Sequence, residues 1–332
     1  MCTVGGANAT CQLPLTEPEA IPTVRRSLMP GLLDKRLWIV SGKGGVGKST
    51  ISAALALRSA RAGRRTLVCE VNTQERISRL LERPAAGPEV KLLEDNLWAV
   101  DVRPQEAMRE YALMVLRFET LYKTVFENRV VRYFLRFIPS LQELVMLGKI
   151  LFHLQEKRPD GTYRYETIVL DAPATGHAIT FLNVPQVLLR TVPPGPMSKE
   201  ALKMRDLLVD PQVTAAVLVA LPEELPVNEA LELHAALRDT VKIRTHAAVL
   251  NATFPERFSE ADLAALADHP ELLHVAKAHH DRASLGVLAE TKLERNLQVP
   301  VHTVPRIFTP TFGRKAIEQV MGHLEQLVTG AK

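Results

Sequence analysis

The chain has few cysteines and no long apolar run, and both shortages exclude whole classes of protein. Its 332 residues contain three cysteines, Cys2, Cys11 and Cys69, and no two of them form a C-x-x-C pair. Cysteines this sparse exclude a disulfide framework and a cysteine-based zinc site, and they are typical of a reducing compartment. No apolar run approaches the ~20 residues that a membrane-spanning helix needs, and the N-terminus has no apolar signal core. We therefore expect a cytoplasmic protein without a transmembrane segment.

The chain also lacks a strong charge of either sign. Its formal net charge is +4, and its basic and acidic residues are interspersed. This balance is too weak to indicate a nucleic-acid partner. A composition of 46% hydrophobic and 23% charged residues is typical of a globular protein that buries a sizeable core.

Composition and periodicity divide the chain into a tail and one domain. Residues 1–34 are rich in Pro, Thr, Gly and Ala and lack periodicity, which predicts a flexible tail. From 35 to 330, short apolar strands alternate with helical patterns, which predicts an α/β fold with a doubly wound, mostly parallel sheet. Helical spacing over about 104–157 and a Pro-bounded segment at 190–210 predict a helical insertion on that sheet. We expect a further helix near 176–189 to break at Pro185.

A glycine-rich loop follows the first apolar strand and precedes the first helical pattern. The segment SGKGGVGKST (41–50) satisfies G-x-x-x-x-G-K-[ST], the phosphate-binding signature of P-loop NTPases. Its backbone N–H groups and the following helix N-terminus are expected to bind the phosphates of ATP. The predicted nucleotide contacts are Gly42, Gly44, Gly45, Val46, Gly47, Lys48, Ser49 and Thr50. Lys48 is expected to reach the β- and γ-phosphates and Ser49 to ligate Mg²⁺.

Two further features make this loop more specific. Lys43 gives the form K-G-G-x-G-K-[ST], and the strand IVLD ends at Asp171 and runs into DAPATGHAITFL. An Asp in that place suits a second Mg²⁺ ligand. Together these segments resemble the ArsA family of the MinD/ParA class of ATPases, which includes arsenite-pump ATPases and ATPases that target tail-anchored membrane proteins. The resemblance extends over most of residues 36–328.

The resemblance implies roles for particular residues. It implies that Lys43 crosses a homodimer interface to the partner's nucleotide, where a cation stabilises charge on the transferring phosphoryl group. It implies a switch II that senses the γ-phosphate and contains Pro173, Thr175, Gly176 and His177. It also implies an adenine contact at Asn251 and a loop lining the base at Pro305, although a strand end packing on the sheet is an equally good interpretation of Pro305.

The chain departs from the family pattern at several points. Asn72 stands where the family has the Asp that positions the attacking water, so hydrolysis is expected to be slow. Glu70 either takes a carboxylate role near Mg²⁺ or supports the site as a neighbouring polar group. The zinc-binding C-x-x-C pair and the clustered metalloid-binding cysteines are missing, so arsenite stimulation is not expected. A single phosphate loop predicts a homodimer as the symmetric unit.

We therefore expect a Mg²⁺-dependent, homodimeric ATPase that couples its nucleotide state to a helical surface. Apolar residues in the helical block either form a groove for a hydrophobic or membrane-associated protein client or pack as core, and core is the default at helical spacing. One alternative is an ATP-gated chaperone or scaffold with little hydrolysis, because Asn72 cannot accept a proton. Another is a positioning ATPase like MinD or ParA, against which His177 argues.

Overall fold

One mixed sheet organises the protein. A computed structural model of the chain describes residues 31–71, 75–116 and 140–330. The strands are β1 (Leu37–Gly42), β2 (Thr66–Val71), β3 (Lys91–Glu94), β4 (Leu97–Val102), β5 (Thr167–Asp171), β6 (Thr214–Ala220), β7 (Thr245–Thr253) and β8 (Val301–Pro305). They lie in the order β3-β4-β2-β5-β1-β6-β7-β8. All neighbours are parallel except β3 and β4, which are antiparallel.

Helices connect the strands and cover the sheet. Those in the described ranges are α1 (Lys48–Arg61), α2 (Arg76–Leu80), α3 (Pro104–Leu116), α4 (Leu141–Gln155), α5 (Thr175–Thr191), α6 (Pro196–Val209), α7 (Glu224–Ala236), α8 (Glu260–Ala265), α9 (Pro270–Leu297), α10 (Arg314–His323) and α11 (Glu325–Thr329). A short π-helix, Leu237–Val241, extends α7. The alternation of parallel strands and helices confirms the predicted α/β fold.

The core lies on both faces of the sheet because the central strands β1, β2, β5 and β6 are mostly apolar and are buried at every position. Leu37 and Ile39 of β1 face a cluster with residues of α4, α5 and α7, whereas Trp38 and Val40 face a second cluster with residues of α1 and α10. Strands buried on both faces read as continuous apolar runs rather than as alternating ones. The doubly wound arrangement follows directly from this pattern.

The carboxyl end of β1 lies at the centre of the sheet. In the strand pairing, Val40 is aligned with Asp171 of β5 and Gly42 with Val219 of β6. Strands β2 to β5 lie on one side of β1 and strands β6 to β8 on the other. The strand order thus reverses at β1, which places a crevice at the carboxyl end of this strand. Ligands of open α/β sheets bind in such a crevice. The loop after β1 therefore opens where a ligand is expected.

The structure corrects two expectations about local order. The predicted tail ends earlier than residue 34, because Leu32–Asp34 form a 3₁₀-helix that contacts α11, and the Leu32 side chain is fully buried. Residues 1–30 of that tail lie outside the described residues. The expected break at Pro185 is also wrong. Helix α5 continues through Pro185, which is buried within it.

The helical insertion is described at its two ends. Helix α3 begins it, α4 ends it, and residues 117–139 between them lie outside the described ranges. Most apolar residues of α4 are buried in the core, including Leu144, Leu147 and Ile150, whereas Phe152 is exposed. This part of the block therefore packs as core, as helical spacing favours by default. The segment predicted at 190–210 contains α6, whose Ala201, Met204 and Leu208 are buried.

Candidate nucleotide site

Two glycines of the loop between β1 and α1 lie too close to neighbouring atoms to carry a side chain. A Cβ added at Gly42 would lie 2.2 Å from the Val219 carbonyl oxygen, so β1 approaches β6 too closely for any side chain there. Gly47 has φ +93°, and a Cβ added to it would lie 2.3 Å from Nδ2 of Asn251. These two glycines are therefore required by space, and Gly47 also by its left-handed backbone. Val46 between them is 1% exposed and packs into the core cluster below α1.

Asn251 fixes the loop from a strand two places away. It lies near the end of β7, and its Nδ2 donates to the Val46 carbonyl oxygen at 2.8 Å across 205 residues of sequence. The structure thus brings the predicted adenine contact to the phosphate loop and gives it a structural bond there. Its contact with a base stays a prediction.

The two lysines of the loop are held by partners in the same chain. The Lys48 Nζ donates to the Lys43 carbonyl oxygen at 2.9 Å. Burial lowers the pKa of Lys48, and the nearby Asp171 carboxylate acts in the opposite direction. The Lys43 Nζ lies 2.8 Å from Oε1 of Glu229 in α7. Lys43, which the family resemblance predicts to act in a second subunit, therefore forms an ion pair within its own chain.

Asp171 gathers two hydroxyls at the end of β5. Its Oδ2 accepts from the Ser49 Oγ at 2.6 Å, and its Oδ1 accepts from the Ser52 Oγ at 3.1 Å. Burial raises the pKa of Asp171, while both hydroxyl bonds and the nearby Lys48 oppose that rise. A carboxylate beside a hydroxyl is a set of hard oxygen donors, which Mg²⁺ prefers. These residues therefore fit a magnesium ion beside the phosphate loop.

The segment after Asp171 contacts both the loop and α7. The Ser41 Oγ donates to the Pro173 carbonyl oxygen at 3.3 Å, and the Thr175 Oγ1 donates to Oε2 of Glu229 at 3.3 Å. Thr175 begins α5, and the next two residues, Gly176 and His177, are exposed. The predicted switch II thus lies beside the loop, at the start of a helix that packs on α4 and α6.

Glu70 has a structural contact at the other side of the crevice. Its side chain is 1% exposed, and its Oε1 accepts from the backbone N–H groups of Arg76 at 2.7 Å and Ile77 at 3.1 Å. Glu70 therefore caps the start of α2, which favours the supporting role over the catalytic one. Asn72, expected to orient water, lies in the segment 72–74 outside the described residues.

Sequence reasoning missed a chain of charges beside α2. Asp101, the residue before the end of β4, is fully buried, and its Oδ2 accepts from the Arg103 Nε at 2.6 Å. Arg103 also binds Glu75 at 2.8 Å. Burial raises the pKa of Asp101, and Arg103 opposes that rise. Its position at the carboxyl end of an apolar strand, like that of Asp171, was a usable signal. Ser52 and Glu229 were also missed, and neither stands in a recognisable motif.

Aromatic and basic side chains follow the ends of β7 and β8. Pro305 ends β8, paired with Thr253 of β7, and places Arg306 about equally far from two rings. The Arg306 guanidinium lies 6.0 Å from the ring centroids of Phe254 and Phe308, within the range of cation–π attraction. The structure thus places Pro305 near Asn251 along the sheet edge, while its contact with a base stays a prediction.

Cys69 is a buried free thiol in β2. Within residues 31–71, 75–116 and 140–330, no group of three or more His, Cys, Asp or Glu side chains is arranged to hold a metal ion. Burial raises the pKa of the Cys69 thiol to about 12, which makes it unreactive. No described helix is long and apolar enough to cross a membrane.

A family model described as an anion-transporting ATPase, ArsA_ATPase, matches residues 35–193 and 196–272 of the chain. The chain belongs to the ArsA ATPase family. Both decisive segments, the loop at 41–50 and the strand end at 171–177, lie inside the matched residues. This membership confirms the resemblance drawn from the sequence and makes the protein an ATPase of this family.

Relatives within the family differ in length and name. ATPase BagA of Mycobacterium tuberculosis is 30% identical over 300 residues, which cover 83% of this chain and 87% of that protein. ATPase get3 of Neurospora crassa is 28% identical over 165 residues, 48% of this chain and 47% of that one. A Halobacterium salinarum protein provisionally named an arsenical pump-driving ATPase is 27% identical over 253 residues. Those residues cover 71% of this chain and 38% of the Halobacterium protein.

Proposed function

We propose that the protein is a Mg²⁺-dependent, homodimeric switch that binds and hydrolyses ATP. The observation that carries the proposal is the Ser49–Asp171 hydrogen bond of 2.6 Å directly beside Lys48. A hydroxyl, a carboxylate and an ammonium group converge there at the N-terminus of α1, which favours a bound anion. This set suits a nucleotide phosphate and its metal ion.

Each residue has a distinct part in this proposal. Ser49 and Asp171 would hold Mg²⁺, which supplies positive charge for the phosphate oxygens when it is bound. Lys48 would exchange the Lys43 carbonyl oxygen for a phosphate oxygen. The glycine loop would wrap the phosphates with its N–H groups, and Asn251 would keep the loop in place through Val46. Catalysis then depends mainly on position and charge.

Lys43 would act in the neighbouring subunit. Its side chain is 29% exposed at the mouth of the crevice, where a second copy could approach it. A cation supplied by the partner stabilises the charge that develops on the transferring phosphoryl group. The two subunits would then complete each other's sites.

A partner or client surface would respond through α5. This helix begins at Thr175 in the proposed switch II and packs on both α4 and α6, so movement at its start reaches the helical insertion. Partly exposed apolar side chains on these helices, Phe152, Val187 and Leu202, offer a place for an apolar partner. Cys69, the cysteine within the described residues, is buried and its thiol pKa is raised, so it is not suited to bind a metalloid.

The decisive experiment is steady-state ATP hydrolysis with Mg²⁺, measured beside oligomeric state. We expect Lys43→Ala to bind nucleotide but lose most of its turnover, by roughly a hundredfold or more, as for other cations supplied in trans. Lys315→Ala, an exposed lysine on α10, serves as the matched control and should behave like the unaltered protein. Equal turnover in Lys43→Ala and the unaltered protein would overturn the trans-lysine mechanism.

A second function is favoured by Asn72. An amide in the place of the water-positioning Asp suits an ATP-gated binding module with little hydrolysis. Tight nucleotide binding and ATP-dependent dimerisation without turnover in the unaltered protein would support this module. Appreciable turnover would reject it.

A further inference from the structure

One carboxylate joins the two segments of the site that are expected to move. Oε1 of Glu229 lies 2.8 Å from the Lys43 Nζ of the phosphate loop, and its Oε2 accepts from the Thr175 Oγ1 of the switch II segment at 3.3 Å. The side chains of Lys43 and Glu229 are 29% and 26% exposed. A carboxylate can accept bonds on both oxygens at once, so Glu229 holds loop and switch together.

The position of Glu229 follows from the sheet order. Helix α7 follows β6, which is the neighbour of β1, so the first turns of α7 lie beside the loop. Val227 and Ala230 on either side of Glu229 are 2% and 1% exposed, and they fix α7 to the core. Glu229 is therefore presented to Lys43 and Thr175 from a rigid support.

Lys43 is held at its backbone as well as at its side chain. The Lys48 Nζ donates to the Lys43 carbonyl oxygen at 2.9 Å. A phosphate that binds Lys48 competes for this ammonium group, because charged phosphate oxygens are stronger acceptors than a carbonyl. Phosphate binding would therefore release the backbone of Lys43 and leave Glu229 as its remaining holder.

We propose that Glu229 is a positioning residue that retains Lys43 inside its own subunit until nucleotide binds. The inference rests on the proposed function, because it concerns the lysine that is to reach the partner. ATP would release Lys43 in two steps. The phosphate takes Lys48 from the Lys43 carbonyl oxygen, and movement of Thr175 when a γ-phosphate is present removes one of the two contacts that hold the Glu229 carboxylate. Lys43 then becomes available to a second copy. Without nucleotide, the same pair disfavours dimerisation.

The first test reads the contact itself and needs neither hydrolysis nor a dimer. The nucleotide-free protein is treated with an amine-reactive ester, and the rate of acetylation of Lys43 is followed by mass spectrometry. Glu229→Gln removes the charge and keeps the shape, so Lys43 should react roughly threefold faster, as expected for losing one partly exposed ion pair. Glu232→Gln makes the same charge change on an exposed side of α7 and should leave the rate unchanged.

The second test reads the consequence for assembly. We titrate each protein with Mg²⁺ and a non-hydrolysable ATP analogue and follow dimer formation by light scattering. Glu229→Gln should dimerise at a roughly threefold lower analogue concentration, and Lys43→Ala in the same background should abolish that gain. The Glu232→Gln control should match the unaltered protein.

The outcomes separate this inference from the function on which it rests. If the unaltered protein dimerises but Glu229→Gln shifts neither the acetylation rate nor the titration, Glu229 is not a retaining residue and the inference is overturned. A Glu229→Gln protein that dimerises less readily would overturn it as well. If acetylation accelerates as expected while no protein dimerises, the Lys43–Glu229 contact is confirmed. The proposed action of Lys43 in a partner subunit and the control of dimerisation by Glu229 are then both rejected.

Discussion

Gly47 shows how little freedom single residues have in this site. Its φ of +93° lies in the left-handed region, and an added Cβ would meet Nδ2 of Asn251 at 2.3 Å. The Asn251 side chain is itself committed to the Val46 carbonyl oxygen. Backbone geometry and a neighbouring side chain therefore restrict the same position independently.

Replacing Gly47 by alanine should destabilise the protein strongly. We expect Gly47→Ala to lower the free energy of unfolding by about 1–3 kcal/mol, since it strains the backbone and displaces Asn251. Gly44→Ala is the matched control, because an added Cβ there meets nothing within 4 Å. Denaturant unfolding of the nucleotide-free proteins checks both values. Equal stabilities of the two variants would show that the loop adapts to a side chain at Gly47.

Some site residues could be predicted from the sequence and others could not. Ser49 and Asp171 could be, because the loop motif and the strand end place them at one edge of the sheet. Glu229 could not, because its contact with Lys43 depends on β6 lying beside β1. Ser52 could not, because nothing in the sequence of α1 indicates that its hydroxyl contacts Asp171. Contacts made by tertiary neighbours without a motif leave no local pattern.

At the scale of elements, α2 depends on a residue outside it. This five-residue helix is too short to be stable alone, and the Glu70 carboxylate accepts its first two N–H groups. A charged acceptor at a helix N-terminus stabilises both the hydrogen bonds and the helix dipole. Helix α2 is therefore tied to the end of β2.

Glu70→Gln should loosen α2 specifically. Losing the charge weakens both hydrogen bonds, and we expect local opening of residues 76–80 to become easier by about 1 kcal/mol. Amide hydrogen exchange of α2 measures this directly. Glu89→Gln, an exposed residue before β3, provides the control and should leave exchange unaffected. Unchanged exchange in Glu70→Gln would show that packing alone holds α2.

Helix α5 shows where element prediction failed. A proline normally ends or kinks a helix because it lacks an N–H and crowds the preceding turn. Helix α5 nevertheless continues, with Phe181, Leu182 and Val184 buried around Pro185 in the core. Burial of these side chains offsets the missing bond, and this gain depends on neighbouring helices that local periodicity does not reveal.

At the scale of the whole molecule, the fold was predictable because each central strand contains an uninterrupted run of apolar residues. Trp38 and Ile39 are adjacent in sequence, face opposite core clusters and are both fully buried. Such strands identify a sheet covered on both faces. The antiparallel edge strand β3 escaped prediction, because Lys91 and Leu92 are exposed and only four residues form it.

His246 should make the stability of the whole molecule depend on pH. Burial, with Lys35 and Arg244 nearby, lowers its pKa to about 4. An unfolded histidine titrates near 6.5, so the unfolded chain binds the proton first as the pH falls. Stability is therefore lost progressively between about pH 6.5 and 4, by an amount on the order of 2 kcal/mol.

Unfolding experiments across this pH range check the prediction. His246→Gln should lose less stability than the unaltered protein between pH 6.5 and 4, since it has no ring to protonate. His323→Gln, at the exposed end of α10, should follow the unaltered protein. Parallel stability curves for His246→Gln and the unaltered protein would exclude His246 as the source of the dependence.

The central position of β1 also bears on how the protein acquires its activity. Asp171 comes 122 residues after Ser49 in the sequence, and Asn251 comes 205 residues after Val46, so the site joins distant parts of the chain. A nascent fragment ending before β5 would contain the entire glycine loop without Asp171, the carboxylate proposed to hold Mg²⁺. Contacts of such long range form late in folding. We therefore expect high nucleotide affinity only in chains whose sheet is complete. A nucleotide would then stabilise fully folded chains over incomplete ones.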